Sequence, residues 1–504
     1  MSIHLSKYDI IRGYNGVKRL AVEAFSEGNI KKSLQYVRHC SVIAQQFNWI
    51  YADDQLEDLL AGIADKTIDS KKDRYEPIEN RVVFYDDFCT SFVLALQYIR
   101  ALVKANKRVL YITLQKKAKF KTILDEIRNY DNLDVLVIPH QGIEQRINTI
   151  YDAMVDFRPK QVLLHMYAYS AVLPALYKLP SAIERYIINL ADQTFWLGKK
   201  AIDYSLEFRQ FGASVSLQKR GLESHQLLMV PFYPILDENE FDGFPEQCTP
   251  DKTVIFSGGD LYKVLDRKKT WWKLVKRILD EHPDVVFLFA TKINKSGMSI
   301  INRFIADNHF EGRFIHLPFR KDINEVFKHC DIYMGTCPAS GSLMSQLAAV
   351  NGKPILQYYY PGTPDDETEQ AICPNHSFPI SFTDEDAFLE EAHQLILDPG
   401  YRIRQGQRLR EVMITPEQFD GVVTQTLLSK RSCFPVQNKS IDFNLLDERW
   451  LSLEREGYIN TLPYIYGVLG RKNCLRFTPT IFVKKQLIRI ARFYHAIFSP
   501  KTYS

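Results

Sequence analysis

Short runs of β-branched and aromatic residues alternate with amphipathic helical stretches twice along this chain, and this alternation constrains the fold more than any other feature. The first series begins near residue 81 and the second near residue 253. Strands that alternate with helices of about 10–15 residues are typical of βαβ units, which form parallel sheets. The sequence therefore predicts an α/β fold with two Rossmann-like domains, which would face each other across a ligand-binding cleft.

The two series and their flanks predict four parts of the chain. Residues 1–75 show helical periodicity, and the stretch AFSEGNIKKSLQYV is typical of a single helical hairpin. We expect an N-terminal Rossmann-like domain over 76–236, a C-terminal one over 237–430, and a crossing segment with a basic tail over 431–504. The predicted strands are 81–85, 108–113, 133–138, 161–165, 186–190, 253–257, 285–290, 313–317, 332–335 and 354–357, with helices at 92–104 and 342–350.

Composition excludes several classes of protein. Apolar residues make up 46% of the chain and charged residues 25%, which excludes a collagen, a low-complexity disordered chain and a polytopic membrane protein. The formal net charge of +4 is too small to indicate a nucleic-acid partner. The eight cysteines form no Cys-x-x-Cys pair, and we expect buried, reduced thiols. Without an apolar stretch typical of a signal peptide near residue 1, we expect a cytoplasmic protein.

The segment CDIYMGTCPASGSLMSQLAAVNGKPILQY at 330–358 carries the strongest functional signal. A predicted strand leads through a loop of small residues into a predicted helix that begins at Ser342. Ser340 or Ser342 would cap this helix, and Gly341 would let a ligand approach the backbone. The free N–H groups at such a helix start suit an anionic phosphate. An ordinary strand-to-helix turn has the same composition, so both interpretations stay open here.

Three stretches in this order resemble the C-terminal, donor-binding domain of the GT-B glycosyltransferases. They are FSGGDLYKVLDRKKTWWKLVKRILDEHPDVVFLFA at 256–290, the segment at 330–358, and LILDPGYRIRQGQRLRE at 395–411. The pair Tyr262-Lys263 is similar to a Tyr-Lys pair of the O-GlcNAc-transferase-like branch. Residues 185–221, followed by Val230-Pro231-Phe232-Tyr233-Pro234, resemble the N-terminal half of bacterial surface-polysaccharide glycosyltransferases.

This resemblance implies a donor site on the second domain. The implied donor-binding residues are Ser257, Gly258, Gly259, Lys263, Ser340, Gly341, Ser342 and Gln346. Lys263 would neutralise a diphosphate, and we prefer it to Arg267, Lys268 and Lys269, which we interpret as a solvated face. No metal is expected, because side chains and a helix dipole supply the positive charge.

The sequence departs from its relatives at two positions. Relatives have an acid that holds the donor ribose where this chain has Leu347, so Gln346 would bond the ribose instead. An acid of the following loop is the alternative, although we favour a solvated acidic loop. Those acids are Asp365, Asp366, Glu367 and Glu369. Relatives also have a His where Gln193 follows Asp192, which argues against His-based catalysis at that place.

Transfer to a hydroxyl needs a general base, and three candidates follow predicted strands of the first domain. We rank them Asp192, Asp87 and then His165, with helix capping as the structural alternative for Asp87. Phe195 and Trp196 would stack on an acceptor sugar, although plain core packing is the interpretation we favour.

Residues 481–498 form a predicted basic amphipathic helix that we expect to lie on an anionic membrane surface. Packing of this helix against the N-terminal domain is the alternative. One half of the helix carries Phe482, Val483, Leu487, Ile490, Phe493, Tyr494, Ile497 and Phe498, and the other carries Lys484, Lys485, Arg489, Arg492 and His495. Ile481 and Ile488 break the pattern.

The resemblance implies a bacterial, metal-independent glycosyltransferase without a cofactor. We expect its partners to be a nucleotide-sugar donor, a glycan acceptor that is lipid-linked, and the inner face of the cell membrane. A nucleotide-sugar epimerase of the same fold and a non-catalytic glycan-binding or scaffold protein are the alternatives. The sugar, the nucleotide, the linkage and the stereochemical outcome stay open at this stage.

Overall fold

The computed structural model of the chain describes residues 6–47, 49–69, 75–87, 92–114, 121–170, 172–293, 295–360, 366–373, 378–448 and 461–498. Contacts within these ranges divide the chain into two compact units. The first comprises Met1–Cys89, Arg108–Tyr204 and Trp450–Ser504, and the second Thr90–Lys107 and Ser205–Arg449. The four-part division drawn from the sequence stays a prediction.

The N-terminal extension is helical, as predicted. Its helices are α1 (Lys7–Ser26), α2 (Ile30–Phe47) and α3 (Asp54–Thr67). Ser6 and Asp9 form a reciprocal capping box that fixes the start of α1, and the carboxylate of Asp53 caps α3. Gly28 has φ of +75° in the turn between α1 and α2, a conformation that favours glycine.

The first sheet has seven strands in the order β3-β2-β1-β4-β5-β6-β7. The strands are β1 (Ile78–Asp86), β2 (Arg108–Thr113), β3 (Leu133–Val137), β4 (Pro159–His165), β5 (Glu184–Ile188), β6 (Tyr204–Glu207) and β7 (Leu227–Met229). The helices of this part are α4 (Phe92–Lys104), α5 (Lys121–Ile127), α6 (Ile143–Phe157), α7 (Leu173–Lys178) and α8 (Gln210–Val215). Because β1 pairs in parallel with both β2 and β4, the strand order reverses beside β1.

The second sheet has six strands in the order β10-β9-β8-β11-β12-β13. The strands are β8 (Thr253–Gly258), β9 (Val285–Ala290), β10 (Phe314–Leu317), β11 (Ile332–Met334), β12 (Ile355–Tyr358) and β13 (Ser381–Phe382). The helices are α9 (Thr270–Glu281), α10 (Lys295–Asn308), α11 (Ile323–His329), α12 (Ser342–Val350), α13 (Glu367–Ile372), α14 (Glu385–Leu397), α15 (Pro399–Val412) and α16 (Pro416–Ser429). Here β8 pairs in parallel with β9 and β11, so the order reverses beside β8.

Both sheets follow the doubly wound order of Rossmann-like folds, so the predicted α/β class is confirmed. The predicted bounds of α4, β2, β9 and α12 match those observed, and the other predicted strands agree within a few residues. Sequence reasoning missed β6, β7 and β13. These strands have four, three and two residues, which is too short for a periodic pattern.

An aromatic cluster forms the core on one side of the second sheet. Trp271 is fully buried, and its indole nitrogen donates to the carbonyl of Gly335 at 3.2 Å. Phe287 and Phe314 stack on neighbouring strands with ring centroids 5.5 Å apart. The same tryptophan therefore packs the core and holds the chain just after β11.

Residues 237–252 precede β8 and contain neither helix nor strand, but side chains hold them in place. The ring of Phe241 stacks on His329 at 3.8 Å between centroids. Asp237 accepts a bond from the backbone N–H of Asn324 at 2.9 Å, and Asp322 accepts one from that of Asp242 at 2.8 Å. This segment is thus anchored to α11 and the turn before it.

Residues after α16 contribute to both units. In the second unit, Gln210 and Ser214 of α8 accept bonds from the backbone N–H groups of Gln437 and Lys439. In the first unit, α17 (Thr461–Phe477) and α18 (Pro479–Phe498) pack near the N-terminal helices. Among helices in the described ranges, none combines the length and apolarity needed to cross a membrane.

We expect Trp271→Ala to lower the free energy of unfolding by about 3–5 kcal/mol, because it empties a packed site and removes a buried hydrogen bond. Chemical denaturation monitored by circular dichroism measures this difference. Leu428→Ala is the matched control, since Leu428 is 81% exposed, and it should change stability by less than about 0.5 kcal/mol. Equal effects of the two substitutions would contradict the assigned role of Trp271.

Candidate functional site

The second sheet places its two loops of small residues side by side. β8 ends in Ser257-Gly258, and β11 leads into residues 335–341, and these two strands are neighbours where the strand order reverses. In parallel sheets, ligands bind outside the carboxyl ends of the strands at such a reversal. The predicted donor-binding residues of the two loops therefore meet at one edge of one sheet.

Helix α12 begins at this edge without a side-chain cap. Its N-cap residue is Gly341, which has no side chain and therefore forms no cap hydrogen bond. The first N–H groups of a helix have no partner within the helix and carry a positive partial charge. The start of α12 is thus suited to an anion, whereas the serine capping expected from the sequence is not observed.

Lys263 links the two loops. Its ammonium donates to the carbonyl oxygen of Ser340 at 3.3 Å, and its own carbonyl accepts from the N–H of Ala339 at 3.3 Å. Burial lowers the pKa of Lys263, while the nearby carboxylates of Asp260 and Glu367 act in the opposite direction. The predicted diphosphate-binding lysine accordingly stands at the start of α12.

Glycines make room for this lysine. Gly259 has φ of +146°, and a Cβ added there would lie 3.3 Å from Cδ of Lys263. A Cβ on Gly341 would lie 3.4 Å from the ammonium nitrogen. A Cβ on Gly258 would lie 3.1 Å from Cε of Met344.

Ser257 is fully buried, and its hydroxyl has no hydrogen-bond partner among the described residues.

A second cation reaches the same helix. Arg209, which follows β6, lies with one guanidinium nitrogen 3.5 Å from the hydroxyl oxygen of Ser342 and 2.7 Å from Oε1 of Glu367. Both members of this ion pair are buried, with side chains 4% and 2% exposed. Removing one member of a buried ion pair leaves the other charge uncompensated. Oε2 of Glu367 has no hydrogen-bond partner among the described residues.

The acidic loop after β12 is not solvated, so that interpretation was wrong for the residues described. Glu367 and Glu369 are buried, and Glu369 accepts from the backbone N–H of Ile380 at 2.7 Å. Asp366 pairs with Lys439. These carboxylates are held by partners because charged groups leave water only when they are paired. Asp365 lies outside the described residues.

Gln346 is fully buried, and its side-chain nitrogen donates to two backbone carbonyls, those of Phe232 at 2.8 Å and Ala371 at 2.7 Å. These bonds fix α12 to the neighbouring segments. The predicted ribose contact of Gln346 stays a prediction. The bases at 267–269 are exposed, in agreement with their interpretation as a solvated face.

The first sheet also collects polar groups where its strand order reverses. Asp86 ends β1 and His165 ends β4, and Nδ1 of His165 lies 2.8 Å from Oδ1 of Asp86. The other oxygen of Asp86 accepts from the hydroxyl of Tyr111 at 2.7 Å. Both Asp86 and His165 are buried. The pair therefore satisfies two polar groups that would be costly to bury alone.

Asp87 differs from Asp86 in both exposure and partners. It is half-buried, and its Oδ1 accepts from the backbone N–H of Tyr167 at 3.0 Å. Its Oδ2 accepts from the hydroxyls of Ser170 and Tyr85, the latter at 3.1 Å. Burial raises the pKa of Asp87 to about 6 despite these donors. Helix capping by Asp87 involves residues after 87 that lie outside the described ranges.

The other predicted residues of the first part are buried. Asp192 lies in turns after β5 and is 1% exposed, and Phe195 and Trp196 are 0% and 3% exposed. Their predicted roles as base and acceptor contacts stay predictions. The exposure of Asp87 sets it apart from Asp192 and His165.

Sequence reasoning missed Arg209 and underrated Glu367. Arg209 follows a strand of four residues that gave no periodic signal. Its partner becomes a neighbour only because α8 packs near α13, where the N–H of Phe211 donates to Oε1 of Gln370 at 2.8 Å. The sequence shows an arginine after one strand and a glutamate after another, but no pattern in it predicts that the two residues are neighbours.

No protein-family model matches this sequence, and no curated protein is significantly similar to it. Solved structures match it in fold. A glycosyltransferase from Rickettsia africae superposes with a TM-score of 0.52 at 11% identity, covering 70% of this chain and 98% of that chain. The Anabaena protein HepE in complex with UDP superposes with a TM-score of 0.50 at 12% identity, and the match covers 69% of this chain and 100% of that chain. A mutant O-GlcNAc transferase from Thermobaculum terrenum superposes with a TM-score of 0.49 at 12% identity, and the match covers 88% of this chain and 84% of that chain.

At these identities the likeness is one of fold. With its two doubly wound parallel sheets, the chain has the two-domain α/β architecture of the GT-B glycosyltransferases, as the sequence predicted.

Proposed function

We propose that this protein is a glycosyltransferase that moves a sugar from a nucleotide-sugar donor to a hydroxyl of a glycan acceptor. One observation carries the proposal: the ammonium of Lys263 and the guanidinium of Arg209 both lie at the uncapped start of α12. Two cations and a helix N-terminus at one point form a site for a group with several negative charges. A nucleoside diphosphate is such a group.

The reaction breaks the bond between the anomeric carbon of the sugar and the diphosphate oxygen, and forms one to the acceptor oxygen. Negative charge grows on the diphosphate as it leaves, so fixed positive groups stabilise the transition state more than the ground state. Lys263 and Arg209 meet this need with side chains, and we therefore propose a metal-independent reaction. The proton of the acceptor hydroxyl goes to a general base.

Glu367 is the residue of this site that we assign to the donor nucleoside. Arg209 holds its Oε1, while Oε2 is buried with no hydrogen-bond partner among the described residues. A buried carboxylate oxygen gains from a hydrogen-bond donor, and ribose hydroxyls are such donors. Glu367 would then bind the donor ribose, which in relatives is bound by an acid at the position of Leu347.

For the general base we favour Asp87 over Asp192 and His165. A base must reach the acceptor hydroxyl, and Asp87 is half-buried whereas Asp192 and His165 are each 1% exposed. Its pKa of about 6 also suits proton transfer near neutral pH better than an ordinary carboxylate does. We place the reaction in the cytoplasm and propose a lipid-linked glycan as the acceptor.

Thermal stabilisation by nucleotides tests the donor site. We expect one family of nucleoside diphosphates, and its sugar derivatives, to stabilise the protein, by about 2.7 kcal/mol at 100 times the Kd. Lys263→Ala should abolish this response, while Lys268→Ala should keep it because Lys268 is exposed on the following turn. Differential scanning fluorimetry of the three proteins measures the effect.

A Lys263→Ala protein that responds like the wild type would remove the donor site from this edge of the sheet. A protein that binds nucleotide sugars but turns none over would be a binding protein. Conversion of the donor sugar into an epimer without any acceptor would identify an epimerase.

The pH dependence of transfer tests Asp87. The carboxylate form is the base, so activity should rise as pH increases through about 6 and level off above it. Asp87→Asn should lower turnover by about 10²- to 10⁴-fold, while donor stabilisation shows that the variant is folded. Asp192→Asn is the parallel variant. The assignment would be contradicted if Asp192→Asn lost more turnover than Asp87→Asn and if Asp87→Asn kept the pH profile of the wild type.

A further inference from the structure

The helix α18 has two faces with different surroundings. On the inner face, Ile481 is fully buried and a Cβ added to Gly13 of α1 would lie 3.4 Å from its Cδ1. Lys484 of the same face donates to Asp9 at 2.5 Å. Ile481 broke the predicted amphipathic pattern because it packs on the N-terminal helices, and Lys484 is committed to an ion pair. This face thus packs on the helical extension, whereas the predicted alternative named the N-terminal domain.

The neighbouring helix α17 strengthens this attachment. A Cβ on Gly16 of α1 would lie 2.9 Å from Cβ of Phe477, so the two helices are in close contact. Nδ1 of His39 on α2 lies 2.8 Å from the hydroxyl of Tyr464. Arg476 pairs with Glu23 at 3.0 Å. The inner face of α18 therefore has a firm support, and its orientation is fixed.

The outer face carries an exposed apolar stripe. Val483, Leu487 and Ile490 are 53%, 48% and 52% exposed. They stand four and three residues apart, so they follow one another along one side of the helix. Isolated exposed apolar residues are ordinary on a protein surface, but a row on a supported helix marks a contact surface.

The charged residues of α17 and α18 themselves are all positive. Arg489 is exposed and Lys485 is half-buried on α18, and Arg471 and Lys472 are exposed on α17. From residue 457 to residue 504 the sequence contains no Asp or Glu. A stripe of aliphatic residues beside cations only is complementary to a surface that is apolar inside and anionic outside.

We propose that the outer face of α18, defined by Val483, Leu487 and Ile490, lies on an anionic lipid bilayer. The aliphatic side chains enter the boundary between headgroups and acyl chains, and Arg489 and Lys485 contact lipid phosphates. A second copy of this chain would bring the same cations against each other, which disfavours that occupant. This contact goes beyond sugar transfer and does not depend on it.

Co-sedimentation of the full chain with vesicles tests the membrane contact. The wild type should bind vesicles of equal phosphatidylglycerol and phosphatidylcholine and should bind pure phosphatidylcholine much more weakly. The double variant Val483→Glu with Leu487→Glu should lose at least about tenfold in partition, because it places acids in the apolar stripe. Arg489→Gln alone should lose about fivefold on anionic vesicles, and higher salt should reduce wild-type binding.

Leu428→Glu is the matched control, since Leu428 is 81% exposed on α16 and should bind vesicles like the wild type. All substituted positions are exposed, and equal melting temperatures confirm that the variants fold. Absence of wild-type binding to anionic vesicles, or equal binding by the double variant, would overturn the proposal. Self-association in solution that the double variant abolishes would identify a second copy as the occupant and would overturn it as well. Donor stabilisation should stay unchanged in every variant, so this result is separable from the proposed transfer.

Discussion

The reversal of strand order beside the central strand of each parallel sheet is the constraint on which the candidate sites depend. Parallel strands direct their carboxyl ends to one edge, and the chain leaves neighbouring strands in opposite directions only where the order reverses. In the second sheet this occurs between β8 and β11, and in the first between β1 and β4. The loops of small residues follow β8 and β11, and the pair of Asp86 and His165 lies where β1 and β4 end. Backbone topology thus decides which polar groups become neighbours before any side chain is considered.

Electrostatics explains how the site of the second sheet accommodates two neighbouring cations. Lys263 and Arg209 are both removed from water to a large extent, which is unfavourable for two like charges. Glu367 is placed to offset both, since it pairs directly with Arg209 and its charge raises the pKa of Lys263 against the effect of burial. The carboxylates of Asp260 and Glu367 thus oppose the effect of burial on the pKa of Lys263, and Glu367 also compensates the charge of Arg209. Buried cations of this kind support the proposed preference of the site for multiply charged groups over neutral ones.

The sequence was sufficient for features that rest on local pattern and insufficient for those that rest on packing. The helix Ser342–Val350 and the lysine of the Tyr262-Lys263 pair follow from residues that are close in the chain. The ion pair of Arg209 and Glu367 depends instead on the approach of α8 to α13, and residues in contact there are 159 positions apart. Asp86 and Asp87 are adjacent in sequence, yet one is buried in a pair with His165 and the other is half-buried. Successive residues of an extended segment point to opposite sides, which gives these two neighbours different surroundings.

The attachment of α18 to α1 has a consequence for the order in which the chain acquires its structure during synthesis. Asp9 and Lys484 are 475 positions apart, so α1 leaves the ribosome long before its partner is made. At a synthesis rate of about 5–20 residues per second, tens of seconds pass before α18 can cover the apolar side of the N-terminal helices. The second unit also joins distant parts of the chain, since Lys104 pairs with Asp420, but it ends at Arg449 and is therefore synthesised before α18. The contact between α1 and α18 is thus among the last of the first unit that can form during synthesis.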